Sequence, residues 1–394
     1  MKRKIVAIIC AVLFLFSFSV GCMGGESSES VKNPALDIPD FIVEIPEGKN
    51  PIILQITDTQ TIDSAQRRSH DRLSNAMAEY WATDKIDERL NGYLDKIIEE
   101  VKPDLILFTG DLIYGEFDDA GTSMEALVNK IDGYGIPWAP IFGNHEPESK
   151  KGVDWQCYML ESAKNCLFKQ GKVTGNGNYT VGISQGGKLT RVFFMMDSNG
   201  AGNASEESLS NGQTMPTQGF ERDQVAWFEE VGGKIKKDSP ETKISFAFHI
   251  QIQAFYDAYA KYGFSKDSTT PINIDAHPNK ADGDFGYLGN AWGDGWDLSG
   301  AIFAKMKALG VDSIYCGHEH ENSASVVFDG VRFQFGQKIS TYDRCNWLMA
   351  DGTIKGAYPP INGTPIMGGT VNVLNENGEI IDAYIHYVSG FENK

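Results

Sequence analysis

Ile136-Pro137-Trp138-Ala139-Pro140-Ile141-Phe142-Gly143-Asn144-His145-Glu146 is an apolar run that opens into a polar tetrapeptide. An unbroken apolar run of this length fits a buried strand, and Gly143 marks the point where strand becomes loop. Asn144 offers a neutral carbonyl oxygen to a divalent cation, and His145 is titratable near neutral pH. Four residues carry little weight alone. They gain it from other stretches built the same way.

Pro51 to Thr57 runs into Asp58-Thr59-Gln60, and Leu105-Ile106-Leu107-Phe108 runs towards Gly110-Asp111. Further along, Val192 to Met196 ends at Asp197, Lys243 to Phe248 ends at His249, and Ser313 to Cys316 leads to Gly317-His318-Glu319-His320. Between these runs lie stretches of helical period. Leu90, Leu94, Ile97, Ile98 and Val101 share a face before Pro103 stops the helix, and Met124–Ile131, Val153–Lys169, Asp223–Lys236 and Leu298–Leu309 follow. The alternation predicts an α/β fold whose buried strands deliver polar side chains to their C-terminal ends. Alternating β segments at 325–335 and 369–387 close the chain, and nothing between 49 and 390 reads as a domain boundary. Ser198 to Gly219 reads as a surface loop. The aperiodic stretch 264–297, rich in Asp, Asn, Gly and aromatics, is where substrate contacts are expected, with His277 as a candidate.

Collected in order, Asp58-Thr59-Gln60, Gly110-Asp111, Gly143-Asn144-His145-Glu146, His249 and Gly317-His318-Glu319-His320 resemble the motifs of the calcineurin-like metallophosphoesterase superfamily. That pattern is D-x-H, G-D, G-N-H-[D/E], a lone His and G-H-x-H. The resemblance implies a two-sheet β-sandwich flanked by helices on both sides, with a dinuclear metal site at the strand C-terminal ends. It also implies a metal-dependent phosphoesterase, most simply one acting on phosphomonoesters, with phosphodiesters as the alternative substrate class and a cell-surface binding protein as the non-enzymatic one. Two cations ~3.5–4 Å apart clamp a phosphoryl oxygen and acidify the water between them, giving a nucleophile for in-line attack. By the same resemblance Asp111 bridges the two ions, Asp58, Gln60 and His320 complete one site, and Asn144, His249 and His318 complete the other. His145 is then the acid that protonates the leaving oxygen or stabilises phosphoryl charge. The ions implied are Mn, Fe or Zn, divalent or trivalent. Each element also has a plain structural reading: an Asp at a strand end caps a helix, and a lone His on an apolar strand is a satisfied core residue.

Gln60 departs from the pattern, since most members carry His there. An amide is a weaker, neutral ligand, so the metal there is expected to bind loosely or to be a harder ion than zinc. Gly110-Asp111-Leu112-Ile113-Tyr114 resembles the G-D-x-x-Y motif of purple acid phosphatases, whose Tyr binds ferric iron and whose first motif also lacks the His. Tyr114 either completes the site that Gln60 weakens or, more plainly, packs as an aromatic. Asp197-Ser198, Gln224 to Trp227, His249 to Gln253 and Asn322 resemble the purple-acid-phosphatase-like single-domain branch. Asp197 is expected to support a ligand from behind or to be structural rather than to ligate, and Trp227 to be core.

The N-terminus carries Met1-Lys2-Arg3-Lys4, the apolar run Ile5 to Val20 and then Gly21-Cys22. This is the composition of an export signal over 1–21. Ser19-Val20-Gly21-Cys22 resembles a bacterial lipobox, although Ser19 replaces the usual branched aliphatic. Cys22 would be the lipidated residue, 22–48 a tether and 49–390 the catalytic domain. Plain secretion or an uncleaved anchor remain alternatives, the apolar run being 16 residues where a span needs ~17–25. Either way the protein is expected to be exported, as a cell-surface lipoprotein or secreted, with membrane contact only through that anchor. The formal net charge of −18 and the lack of a basic run argue against a nucleic-acid-binding surface. An anionic phosphoester would need positive charge supplied locally, as metal ions do. No C-x-x-C pair occurs, and Cys157 and Cys166 read as buried thiols on one helix rather than a bridge.

Overall fold

The computed structural model describes residues 33–66, 74–83, 85–199, 219–265, 267–289 and 301–393, and residues 33–394 form one compact unit. The export signal, Cys22, His70 and most of the Ser198–Gly219 loop lie outside the described residues. Among those described, no helix is long and apolar enough to cross a membrane.

Two sheets face one another. The smaller has five strands in the order Ile380–Ser389, Met367–Leu374, Ile52–Ile56, Leu105–Thr109 and Trp138–Ile141. The last three are parallel, and the strands Leu105–Thr109 and Trp138–Ile141 are buried along their whole length, as their almost wholly apolar sequences require. Parallel neighbours need a crossover, and helices Ile86–Val101 and Thr122–Asp132 provide them. The first buries Leu90, Leu94, Ile97 and Val101 against the sheet, and Lys102 in the left-handed conformation ends it before Pro103.

The larger sheet has nine strands, and its centre is the run Tyr179–Gln185, Lys188–Met195, Lys243–Ala247, Val311–Cys316 and Val331–Phe335. Helix Arg222–Asp238 starts at a capping box made by Glu221 and Gln224 and sets Phe228 against Phe194 and Phe246 of this sheet. Polar bonds tie the sheets together across the sandwich: Gln55 Nε2 donates to the Cys316 carbonyl at 2.9 Å, and Tyr179 Oη donates to the Pro140 carbonyl at 2.5 Å.

Three expectations are corrected. Residues 33–48 are not all tether: Phe41–Ile45 pairs in parallel with Tyr179–Gln185 at the edge of the large sheet. The apolar, β-branched run Phe41-Ile42-Val43-Glu44-Ile45 carried that signal, but the partner lies far along the chain. The helix from Val153 ends at Ser162 rather than Lys169, because the Asp132 carboxylate accepts bonds from the Lys164 and Asn165 amides and draws the chain onto Trp138. Cys157 and Cys166 are nonetheless buried free thiols, as are Cys316 and Cys345. The stretch 264–297 is not wholly irregular: Ile272–Asn273 and Phe285–Leu288 add an antiparallel pair to the outer edge of the large sheet, and 290–297 lies outside the described residues.

Candidate metal centre

The strands of both sheets end at one place, and the eight residues expected as metal ligands or acid meet there. His320 Nε2 lies 3.3 Å from Asp58 Oδ1, and the Asp58 Oδ2 accepts from the His318 amide at 3.2 Å. Asn144 Oδ1 sits between His318 Nδ1 at 2.9 Å and His249 Nε2 at 3.1 Å. Asp111 Oδ2 is 3.2 Å from His249 Nε2, 3.3 Å from Gln60 Nε2 and 3.8 Å from His145 Nε2.

This convergence is held at a cost in backbone conformation. Asp58, Gln60, Asp111 and His318 all have positive φ, of 53°, 45°, 52° and 70°. Non-glycine residues rarely adopt this region, and strain clusters where surrounding structure enforces a functional geometry. The glycines of two motifs have a steric reason. A Cβ on Gly143 would meet Asp111 Oδ1 at 2.2 Å, and one on Gly317 would meet Thr57 Oγ1 at 2.0 Å.

Electrostatics follow from burial. Desolvation raises the Asp58 carboxyl, yet His320, His249 and Lys338 outweigh it and bring it down to about 2. Asp111 is also desolvated, and His249 and His145 hold it well below the usual carboxylate range. Burial lowers His249, but the carboxylates of Asp111 and Asp58 and the Thr109 carbonyl push it up to about 10. Glu146 goes the other way: burial and Asp111 raise it to about 8, while its oxygens accept from the amides of Leu112 at 2.5 Å and Gly143 at 2.6 Å. Glu146 therefore splices the Gly110-Asp111 loop to the Gly143-Asn144 loop.

The donor set suits cations. Asp58, Asp111 and His320 each place a ligand atom within 4.8 Å of the others, and Asp58 Oδ1 is buried without a well-formed hydrogen bond. His249 Nδ1 faces the Thr109 carbonyl at 2.8 Å; a carbonyl only accepts, so that nitrogen carries the proton and Nε2 is left to ligate. His145 Nδ1 lies 2.8 Å from Glu148 Oε2, which aims Nε2 into the centre. Tyr114 packs edge-on against His145, with ring centroids 4.2 Å apart, and beside Trp81 and Phe117.

A cavity of about 720 Å³ opens over the centre. Its wall comes from Met77, Trp81, Phe117, Asp343, Arg344 and Tyr358. None of the described residues of 264–297 lines it, so the expected substrate role of that stretch is not met among them; His277 packs on Tyr262 instead. Asp197 is structural, accepting from the Asn176 and Asn199 amides, and Trp227 is half-buried against Phe194. Sequence reading missed Glu148, Lys338 and the whole cavity wall. Only Glu148 had a local signal, three residues after His145 with a proline between.

A two-sheet sandwich that brings carboxylates, an amide and imidazoles from separate strand ends to one buried point defines a metal-dependent phosphoesterase fold. The chain belongs to the calcineurin-like phosphoesterase family, whose model matches residues 52–322, and that family depends on a dinuclear metal centre. It is 23% identical over 323 residues to probable inactive purple acid phosphatase 29 of Arabidopsis thaliana, covering 75% of this chain and 74% of that protein. It is 22% identical over 297 residues to the uncharacterized protein C1020.05 of Schizosaccharomyces pombe, covering 75% and 50% respectively. A dimetal phosphatase structure from Danio rerio aligns with a TM-score of 0.43 at 12% identity, over 84% of this chain and 96% of that one. The chain spans half or less of the length of the first curated relatives it matches.

Proposed function

We propose that the protein hydrolyses phosphomonoesters at a dinuclear metal centre. The observation that carries this reading is His145, whose Nε2 faces Asp111 while Glu148 holds its Nδ1. An imidazole so placed beside the metal-ligand cluster can give a proton to a departing alkoxide, a role a merely metal-storing site has no use for. Asp58, Asp111 and His320 would hold one ion and Asp111, Asn144, His249 and His318 the other; Mn, Fe and Zn all fit such ligands. The ions would polarise the phosphoryl group and acidify a water. Gly143 and Gly317 keep the floor of the site clear of side chains, Glu146 locks its two loops, and His145 moves the proton.

The cavity is larger than a phosphoryl group needs, and this is the observation that favours phosphodiesters of nucleotides or lipid headgroups as a second reading. The name "probable inactive" borne by the Arabidopsis relative motivates a third, a binding protein. Hydrolysis of p-nitrophenyl phosphate against its bis-ester, with manganese and with His145→Ala alongside, separates them. Monoester turnover lost in the variant supports the phosphatase; preference for the diester selects the second reading; metal binding without turnover of either selects the third. Export as a lipoprotein anchored at Cys22 belongs to the same proposal, and palmitate labelling that persists in Cys22→Ser would refute it.

A further inference from the structure

Gln60 occupies the position where the family pattern has a histidine ligand, yet its carboxamide oxygen is already engaged. Lys338, only 1% exposed, donates from Nζ to Gln60 Oε1 at 2.5 Å and to the Asp58 carbonyl at 2.9 Å. Ser340 Oγ donates to the same Asp58 carbonyl at 3.0 Å. The Lys338 backbone is itself pinned. It bridges to Thr57 at the end of the strand Ile52–Ile56, and its carbonyl accepts from the Gly368 amide at 3.2 Å and from Gln337 Nε2 at 3.0 Å.

An ammonium carries donors and no acceptor, so a carboxamide facing it must turn its oxygen inward. The amide nitrogen then points the other way, and in this structure it reaches Asp111 Oδ2 at 3.3 Å. We propose that Lys338 is a positioning residue of the metal centre. It holds the oxygen of Gln60 on itself, so that Gln60 orients the bridging carboxylate of Asp111 by donating to it and is not a metal ligand. The ion shared by Asp58, Asp111 and His320 is then held by those three side chains, with a fixed cation behind them that weakens its binding. A hydrogen-bond donor to a ligating carboxylate fixes its direction, and such outer partners tune affinity.

This rests on the dinuclear reading, and its test reads metal rather than turnover. The metal-free full chain is titrated with manganese chloride by calorimetry, with bound metal counted by mass spectrometry, for the wild type, Gln60→Ala and Lys338→Met. Gln60→Ala is expected to keep both ions, bound more weakly by no more than about 10–100-fold, the contribution of an outer partner of a ligand. Lys338→Met removes the cation and releases the Gln60 oxygen, so one of the two ions is expected to bind at least about tenfold tighter. Loss of an ion in Gln60→Ala, or no tightening in a folded Lys338→Met, overturns the proposal. If Lys338→Met fails to fold by circular dichroism, Gln60→Ala alone decides. A wild type that binds two ions but turns over no phosphoester refutes the proposed function and leaves this inference standing. A wild type with two ions and full turnover whose Gln60→Ala variant loses one refutes only this inference. A wild type that binds fewer than two ions refutes both.

Discussion

Glu148 Oε2 stands 2.8 Å from His145 Nδ1, with both side chains buried, while the opposite ring nitrogen of His145 looks 3.8 Å across to Asp111. The pairing fixes which nitrogen faces Asp111. His145→Ala is expected to keep its metals and lose about 10²–10⁴ in kcat, the range of a general acid. Glu148→Gln should lose about tenfold in kcat with metal content unchanged, because the imidazole loses the partner that aims it. Equal metal loss in His145→Ala and Asp111→Asn would show that His145 is a ligand.

Asp111 is the one carboxylate that both halves of the site approach. Its Oδ2 faces His249, His145 and Gln60 together, and the side chain is fully buried. Asp111→Asn removes a charge that two cations would share, so metal analysis should find both ions lost together. Retention of one ion would mean that the bridge lies elsewhere.

His249 links metal to pH. Its folded-state value is about 10 in the metal-free chain against an ordinary 6.5, so the proton it holds adds stability that is fully present below about 6.5 and lost as pH rises towards 10. Melting followed in chelator should show that loss across this window, and His249→Ala should flatten it. A metal must displace the same proton, so manganese affinity should rise by up to about tenfold per pH unit below 10. A pH-independent affinity would contradict the assignment of His249 as a ligand.

Trp81 anchors the apolar wall. It is 5% exposed and meets Phe117, Tyr342 and Tyr114 edge-on, with centroids 5.4, 5.8 and 6.2 Å away. Trp81→Ala should cost about 3–5 kcal/mol by denaturant unfolding, the usual cost of emptying a buried aromatic site. Because Tyr114 leans on both Trp81 and His145, kcat should fall in the folded fraction as well. An iron-loaded wild type with no tyrosinate charge-transfer band would settle Tyr114 as packing alone.

Much of the site could be read in the sequence because its residues stand directly after the strands that place them. Strand-end position is local: Asp58 follows Ile52–Ile56, Asp111 follows Leu105–Thr109, and Asn144 follows Trp138–Ile141, each within a few residues. Apolar runs and helical spacing gave the layers for the same reason, since period and burial are set by neighbours in sequence. The helix from Val153 was overrun because its end depends on Asp132, thirty residues earlier, and the strand at Phe41–Ile45 went unrecognised because its partner is Tyr179–Gln185.

The sequence by itself determined the family, the order of the strands' polar ends and the identities of the clustered donors. Tertiary structure alone decided which way those donors face. Lys338 is 278 positions from Gln60, and no local pattern marks it, yet its buried Nζ fixes the orientation of the amide. Met77, Trp81, Asp343 and Arg344 likewise come from opposite parts of the chain to wall one cavity. The physical reason is that hydrogen-bond direction and desolvation depend on what surrounds a side chain in space, and spacing along the chain carries that information only between near neighbours.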